Sequence, residues 1–234
     1  MTFSDRTVMV TGAAGHLGRA VARRFAEEGA NLVLVARDLA DVEHVAEPSA
    51  SPALLLKADL LAPEQVHAAV QAAIDRFGRV DVLCNLAGAF RMGDEVHRTP
   101  TTTWDLLIDR NVRTLVHAAR AVVPRMIEAG GGKIVNIGAL ASQKGVARMG
   151  AYVVAKDAVV RLTETMAAEL RAHRINVNCV LPSIIDTPEN RAAMPSADPT
   201  LWLQTEELAD VVLFLASEQA RAVHGAAVPV TGLS

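Results

Sequence analysis

Aromatic side chains are scarce in this chain: one tyrosine, two tryptophans and five phenylalanines serve 234 residues. With no basic tract and a net charge of −3, the chain lacks both the stacking platforms and the phosphate-tracking cations of a nucleic-acid binder. Cysteine is nearly absent. Cys84 and Cys179 each sit in a strand-like apolar run and read as small buried hydrophobes, which excludes a disulfide framework. The seven histidines show no ligand spacing, so no metal centre is expected. No apolar stretch approaches the roughly 20 residues that cross a bilayer. The amino-terminal MTFSDRTVMVTG runs into a strand without the pattern of a signal peptide, so the expectation is a cytoplasmic protein without membrane or nucleic-acid partners. There is no internal repeat, low-complexity tract or linker, and residues 1–234 are long enough and apolar enough to form one domain.

What is present is an alternation of strands and helices. A β-branched run from Arg6 to Val10 ends in Thr11-Gly12-Ala13-Ala14-Gly15-His16-Leu17-Gly18, and an amphipathic helix follows over Arg19–Glu28. Strand, glycine-rich turn and helix are the context of a phosphate site, because glycines let a pyrophosphate approach the N–H groups at a helix start. A second strand, Asn31–Val35, ends at Ala36-Arg37-Asp38. A carboxylate at that strand end would accept from a free ribose 2′-hydroxyl, whereas arginine pairs with a 2′-phosphate. Ala36 stands where the carboxylate belongs and Arg37 follows it, so NADP(H) is expected over NAD(H), with Asp38 the residue that argues for caution.

Residues 49–52 read as a loop, Ala53–Lys57 as a third strand and Pro63–Phe77 as a helix opened by its proline. Asp81–Cys84 is a fourth strand, running into Asn85-Leu86-Ala87-Gly88, where small residues let a cofactor lie close. A loop over 90–100 precedes a long helix, Thr101–Ala129, with a kink expected at Pro124. Lys133–Ile137 and Arg174–Leu181 are further strands, separated by a helix over Gly150–Leu170. A proline-rich excursion over about 183–205 reads as a lid over a substrate, before a helix at Glu206–Ala216 and a last strand at Ala226–Val230. The pattern implies a seven-stranded, mostly parallel, doubly wound α/β sheet with helices on both faces and a ligand beyond the carboxyl ends of the strands. The motifs collect at those ends.

Tyr152 and Lys156, four apart in the Gly150–Leu170 helix, share one helix face. An ammonium beside a phenol favours phenolate, which lowers the tyrosine pKa toward working pH and suits proton transfer at a carbonyl. Taken alone the pair is as ordinary as any on a helix surface; its companions give it weight.

These motifs together resemble those of the short-chain dehydrogenase/reductase family over nearly the whole chain. The resemblance is carried by the turn from Thr11 to Gly18, Asp59-Leu60, Asn85-Leu86-Ala87-Gly88, Asn111, Tyr152, Lys156 and Asn178-Cys179-Val180-Leu181-Pro182. It implies a nicotinamide cofactor, a small-molecule substrate, and homodimers or homotetramers built on the long helices. In its terms Tyr152 is the acid/base, Lys156 holds the nicotinamide ribose and Asn111 supports a water-linked proton relay. Gly12, Ala14, Gly15, His16, Leu17, Arg37, Asp59, Leu60, Asn85, Ala87, Gly88, Pro182, Ile185 and Thr187, with Tyr152 and Lys156, would surround the cofactor.

The chain departs from that pattern at His16, which replaces a glycine, at Leu86, which replaces an asparagine, and at Ala139. Ala139 stands thirteen positions before Tyr152, where the family carries a serine that hydrogen-bonds the reacting oxygen; Ser142 is the nearby alternative donor. The lid, with Asp186-Thr187-Pro188, Asn190-Arg191, Met194-Pro195, Asp198 and Trp202, is similar to that of quinonoid dihydropteridine reductases, which likewise have alanine at the serine position. Three functions follow as expectations: an NADP(H)-preferring reductase of a C=O or C=N carbon, a dihydropteridine reductase-like enzyme, and a dinucleotide-binding sensor or assembly protein whose chemistry is weakened at Ala139.

Overall fold

The computed structural model describes residues 2–46 and 51–233; residues 49 and 50 of the expected loop lie outside that range. Seven strands form one sheet: β1 (Thr7–Thr11), β2 (Asn31–Ala36), β3 (Ala53–Lys57), β4 (Val82–Asn85), β5 (Gly132–Ile137), β6 (Ile175–Pro182) and β7 (Ala227–Val230). Their order is β3-β2-β1-β4-β5-β6-β7 and every pairing is parallel. Parallel neighbours require crossovers, and the intervening helices supply them: α1 (His16–Glu27), α2 (Glu43–Ala46), α3 (Pro63–Phe77), α4 (Thr101–Ile108), α5 (Thr114–Glu128), α6 (Gly150–Leu170), α7 (Pro188–Ala193) and α8 (Thr205–Ala216).

Both faces of the sheet are covered, which is why its strands are apolar throughout rather than alternating. Val8 and Val10 of β1 face a core shared with Phe25 of α1 and with Leu208 and Val212 of α8. Met9 faces the other way, onto Val70 of α3 and Val122 and Met126 of α5. Chain order reverses between β1 and β4, and the two carboxyl ends diverge there into a crevice.

The spans expected for β3, α3 and α6 coincide with those found. α5 continues through Pro124, and the expected long helix is interrupted instead at Asp109–Arg113, which is π-helical. The cause is Asn111. Its Nδ2 donates to the Leu107 carbonyl at 2.9 Å, the acceptor four residues back. A side chain thus takes a bond that the helix ladder would otherwise use, and the turn widens. Pro124 lacks only one N–H, and Arg120, whose carbonyl it leaves without that donor, is exposed to water.

Candidate active site

The turn after β1 is held open toward β4. Gly12 has φ +66°, and a Cβ there would lie 2.8 Å from the Ala87 nitrogen, so only glycine lets the two strand ends approach this closely. Thr11 ties them by donating to the Cys84 carbonyl (3.3 Å) and accepting from the Leu86 N–H (3.2 Å). α1 begins three residues earlier than its apolar pattern suggests, at His16, because Gly15 serves as a cap without a side chain. The helix has no side-chain cap and no acid in its first turn. Its leading N–H groups and the positive end of its dipole therefore face the crevice between β1 and β4.

Beyond β4, the side chain of Asn85 donates to Asn136 Oδ1 (2.9 Å), which passes the chain on to Thr163 through its own Nδ2 (2.9 Å). Asn85 Oδ1 is buried without a hydrogen-bond partner among the described residues. An orphaned buried carbonyl oxygen costs about 1–3 kcal/mol. That acceptor, with the uncapped start of α1, fits a ligand carrying both donors and phosphate oxygens, as a nicotinamide dinucleotide does.

Asn111 is buried and its amide bonds to backbone groups. Besides Leu107, its Nδ2 donates to the Ala89 carbonyl (3.0 Å) and its Oδ1 accepts from the Ala89 N–H (3.2 Å). A Cβ on Gly88 would meet Asn111 Oδ1 at 2.8 Å and Lys156 Nζ at 3.4 Å. Gly88 is thus small to admit Asn111, and Asn111 clamps the 85–89 turn in place. Its Oδ1 accepts a single bond there.

Lys156 is buried and donates from Nζ to the Ile137 carbonyl at 2.9 Å. Burial pushes its pKa down to about 8. Tyr152 packs against the buried cluster of Leu107, Ala151 and Ala155, with the Phe90 ring edge-on at 4.8 Å between centroids. Burial pushes the phenol up to about 12. The expected lowering of the tyrosine pKa is therefore opposed: Lys156 donates to Ile137, and desolvation of the phenolate dominates. At neutral pH Tyr152 is a protonated donor.

Ala139 is buried, and Ser142 does not replace the missing serine: its hydroxyl donates to the Ala139 carbonyl at 2.7 Å. The segment after β6 reaches the start of α1, where Glu189 of α7 meets His16. Asp186 takes a bidentate grip from Arg191 at 2.6 Å and 2.6 Å, and Thr187 caps α7 by accepting from the Asn190 N–H. Asn190 Nδ2 donates to the Ile185 carbonyl at 2.8 Å. Trp202 and its neighbour Leu203 are both buried.

His16 meets Glu189 of α7 at 3.0 Å. Glu189 had no signal in the sequence, because the contact joins residues 173 apart on two exposed elements. Its carboxyl is held below the usual range by its own main-chain N–H and then by His16.

Arg37 is exposed at the end of β2, while Asp38 Oδ1 is turned back onto the Ala40 N–H at 3.3 Å. Asp59 is likewise spent locally, accepting from the Leu61 N–H (3.0 Å), and the Leu60 carbonyl contacts His117 (2.8 Å). Pro182 ends β6, from which Ile185 and Thr187 lead into the lid. A larger cleft of about 980 Å³ opens at the opposite end of the sheet, around Arg6, Asp81, Lys133 and Arg221. None of the residues singled out from the sequence lines it, and it holds no acid/base pair on a helix face.

A dinucleotide-binding crevice at the β1/β4 reversal, flanked by a Tyr-Lys helix, defines the class of a Rossmann-type oxidoreductase. The chain belongs to the short-chain dehydrogenase/reductase family: the profile described as short chain dehydrogenase matches residues 6–197. The 2-(R)-hydroxypropyl-CoM dehydrogenase of Xanthobacter autotrophicus is 33% identical over 97% of this chain and 98% of its own. A cis-4-hydroxycyclohexanecarboxylate dehydrogenase of Sinomonas cyclohexanicum is 33% identical over 98% and 96%. An NAD+-bound xylitol dehydrogenase superposes with a TM-score of 0.92 at 27% identity, over 99% of this chain and 100% of that one. At the level of the family, the protein is a nicotinamide-dependent oxidoreductase. No helix among the described residues is long and apolar enough to cross a membrane.

Proposed function

We propose that the protein is an NADP(H)-preferring reductase of a small carbonyl or imine substrate, with Tyr152 as the acid/base. A bound nicotinamide supplies or accepts the hydride. Gly12, Ala14, Gly15, His16 and Leu17 hold the pyrophosphate at the start of α1; Asn85, Ala87, Gly88, Pro182, Ile185 and Thr187 flank the nicotinamide half; Asp59 and Leu60 border the adenine. Lys156 turns from Ile137 toward the ribose. The observation that carries the reading is the placement of a protonated, half-buried phenol on α6 beside the clamped 85–89 turn. Carbonyl reduction needs a proton donor, and Tyr152 carries its proton throughout the neutral range. The test is NADPH oxidation across quinonoid pterins, quinones, diketones and simple ketones. Inactivity on all of them, with NADPH and with NADH, would remove the reading.

Arg37 carries the cofactor preference. It is exposed at the adenosine end of the crevice, and Asp38 is engaged with its own loop rather than presented to a ribose. Arg37→Ala is expected to weaken NADPH binding about tenfold or more while sparing NADH, as loss of one charge-assisted phosphate contact requires. Fluorescence titration of both cofactors reads the ratio, and an unchanged ratio would refute the role. The NAD+ held by the xylitol dehydrogenase supports the opposite preference, and in that outcome NAD(H) is the cofactor.

Ala139 sets the substrate's electronic class. One preorganised donor at a developing oxyanion is worth on the order of 3 kcal/mol, roughly a hundredfold. The protein lacks it, and Ser142 is committed elsewhere. Ala139→Ser is therefore expected to raise kcat on simple ketones by roughly tenfold to a hundredfold and on quinonoid compounds far less. Equal gains would count against this account. The dihydropteridine reductase-like reading gains from the same alanine and loses if quinonoid pterins are turned over no faster than ketones. Tight NADPH binding without turnover would favour the sensor.

A further inference from the structure

We propose that the substrate carries a carboxylate, and that Arg91 and Arg148 hold it beside Tyr152, so that the enzyme acts on a keto or hydroxy acid. This inference rests on the oxidoreductase reading above and names the substrate class of that same site.

A recess of about 80 Å³ lies between the loop after β4 and the loop before α6, lined by Arg91, Asp94, Thr103, Arg148, Met149 and Ala151 among others. Each of its walls is one residue removed along the chain from the aromatic pair Phe90–Tyr152. Ala151 precedes Tyr152 on α6, and Arg91 follows Phe90, whose ring lies edge-on against Tyr152 at 4.8 Å. A recess of that size holds several water-sized groups and so has room for a carboxylate.

Arg148 has φ +62°, a left-handed conformation that few residues other than glycine adopt. The Gly93 N–H fixes it there by donating to the Arg148 carbonyl at 2.9 Å. A strained arginine where glycine would sit without strain points to a use for its side chain. Neither guanidinium meets a carboxylate among the described residues. Arg91 donates only to the Phe90 carbonyl (3.0 Å), and Asp94, the acid on the rim, forms no ion pair with either arginine. The two planar forks thus leave most of their donors free, and such forks match a carboxylate in bidentate fashion.

The test compares 4-oxopentanoate, 5-oxohexanoate and 4-oxocyclohexanecarboxylate with their methyl esters, each with excess NADPH or NADH. For at least one pair the acid is expected to exceed its ester in kcat/KM by about tenfold or more, chiefly through KM. That advantage should shrink as salt is raised from about 20 to about 500 mM. Arg148→Gly and Arg91→Ala should each drive the acid-to-ester ratio toward one. Arg148→Gly should do so with a Tm at or above wild type, since glycine accepts the local φ, which separates loss of an anion contact from loss of structure. Esters reduced as well as their acids, or a ratio unmoved in both variants, would overturn the proposal and leave the oxidoreductase reading intact. No turnover of any of the six compounds with either cofactor would overturn the proposal, whereas the oxidoreductase reading falls only if quinonoid pterins, quinones and diketones are inert as well.

Discussion

Tyr152→Phe is expected to lower kcat for carbonyl reduction by about a hundredfold to ten-thousandfold, the range that a positioned general acid supplies. Cofactor binding should change little, because the ring and its edge-on packing with Phe90 are retained. The pH dependence identifies the proton. Burial raises the phenol to about 12, so the acid form is present across neutrality and reduction by wild type should be flat from about pH 6 to pH 8. Oxidation of an alcohol needs the phenolate, which is the minority form, and its kcat/KM should climb roughly tenfold per pH unit over the same window. The variant should lose that climb. A phenylalanine enzyme within a few-fold of wild type in both directions would show that the proton comes from elsewhere.

The same residue marks how far the sequence can be read. Its place on α6, four residues before Lys156, follows from helix periodicity, and the spans of α3 and α6 follow from proline, glycine and apolar spacing alone. The direction of its pKa does not follow. Spacing brings an ammonium near a phenol, but only the fold shows that Nζ is bound to Ile137 and that the ring is packed against the cluster of Leu107, Ala151 and Ala155. Asn111 was legible as part of a pattern and illegible in its action: the π-helical turn and the clamp on Ala89 arise from an amide reaching across to a loop 22 residues away. Ser142 and Glu189 repeat the lesson. One is nearby in sequence but already bonded, and the other is remote in sequence yet touches the first residue of α1. Motifs report which backbone shapes are allowed; the partners of polar side chains depend on packing between elements that pattern does not encode.

Lys156→Met should abolish most activity and make the protein more stable. Burial lowers the lysine from 10.5 to about 8, which means that folding disfavours its charged form. At about 1.4 kcal/mol per pKa unit, the folded state carries roughly 3 kcal/mol of strain from this one ammonium at neutral pH. Methionine fills the same channel without the charge. It leaves the Ile137 carbonyl without its donor, at about 1 kcal/mol, so a net gain of about 2 kcal/mol remains. For a chain of 234 residues that corresponds to a Tm higher by about 4–8 °C. The sign with pH is definite. Below about 8 both the folded and the unfolded chain hold the proton and the penalty is complete. Between about 8 and 10.5 the unfolded chain binds more protons than the folded one, so wild-type stability rises with pH. Above 10.5 both are neutral and the variant's advantage disappears. Denaturant unfolding of both proteins at pH 7 and pH 10 reads the difference. An advantage that persists undiminished at the higher pH, or a variant less stable than wild type at pH 7, would show that the ammonium is not held in the fold against its preference for water, and that it is not stored there for the cofactor to use.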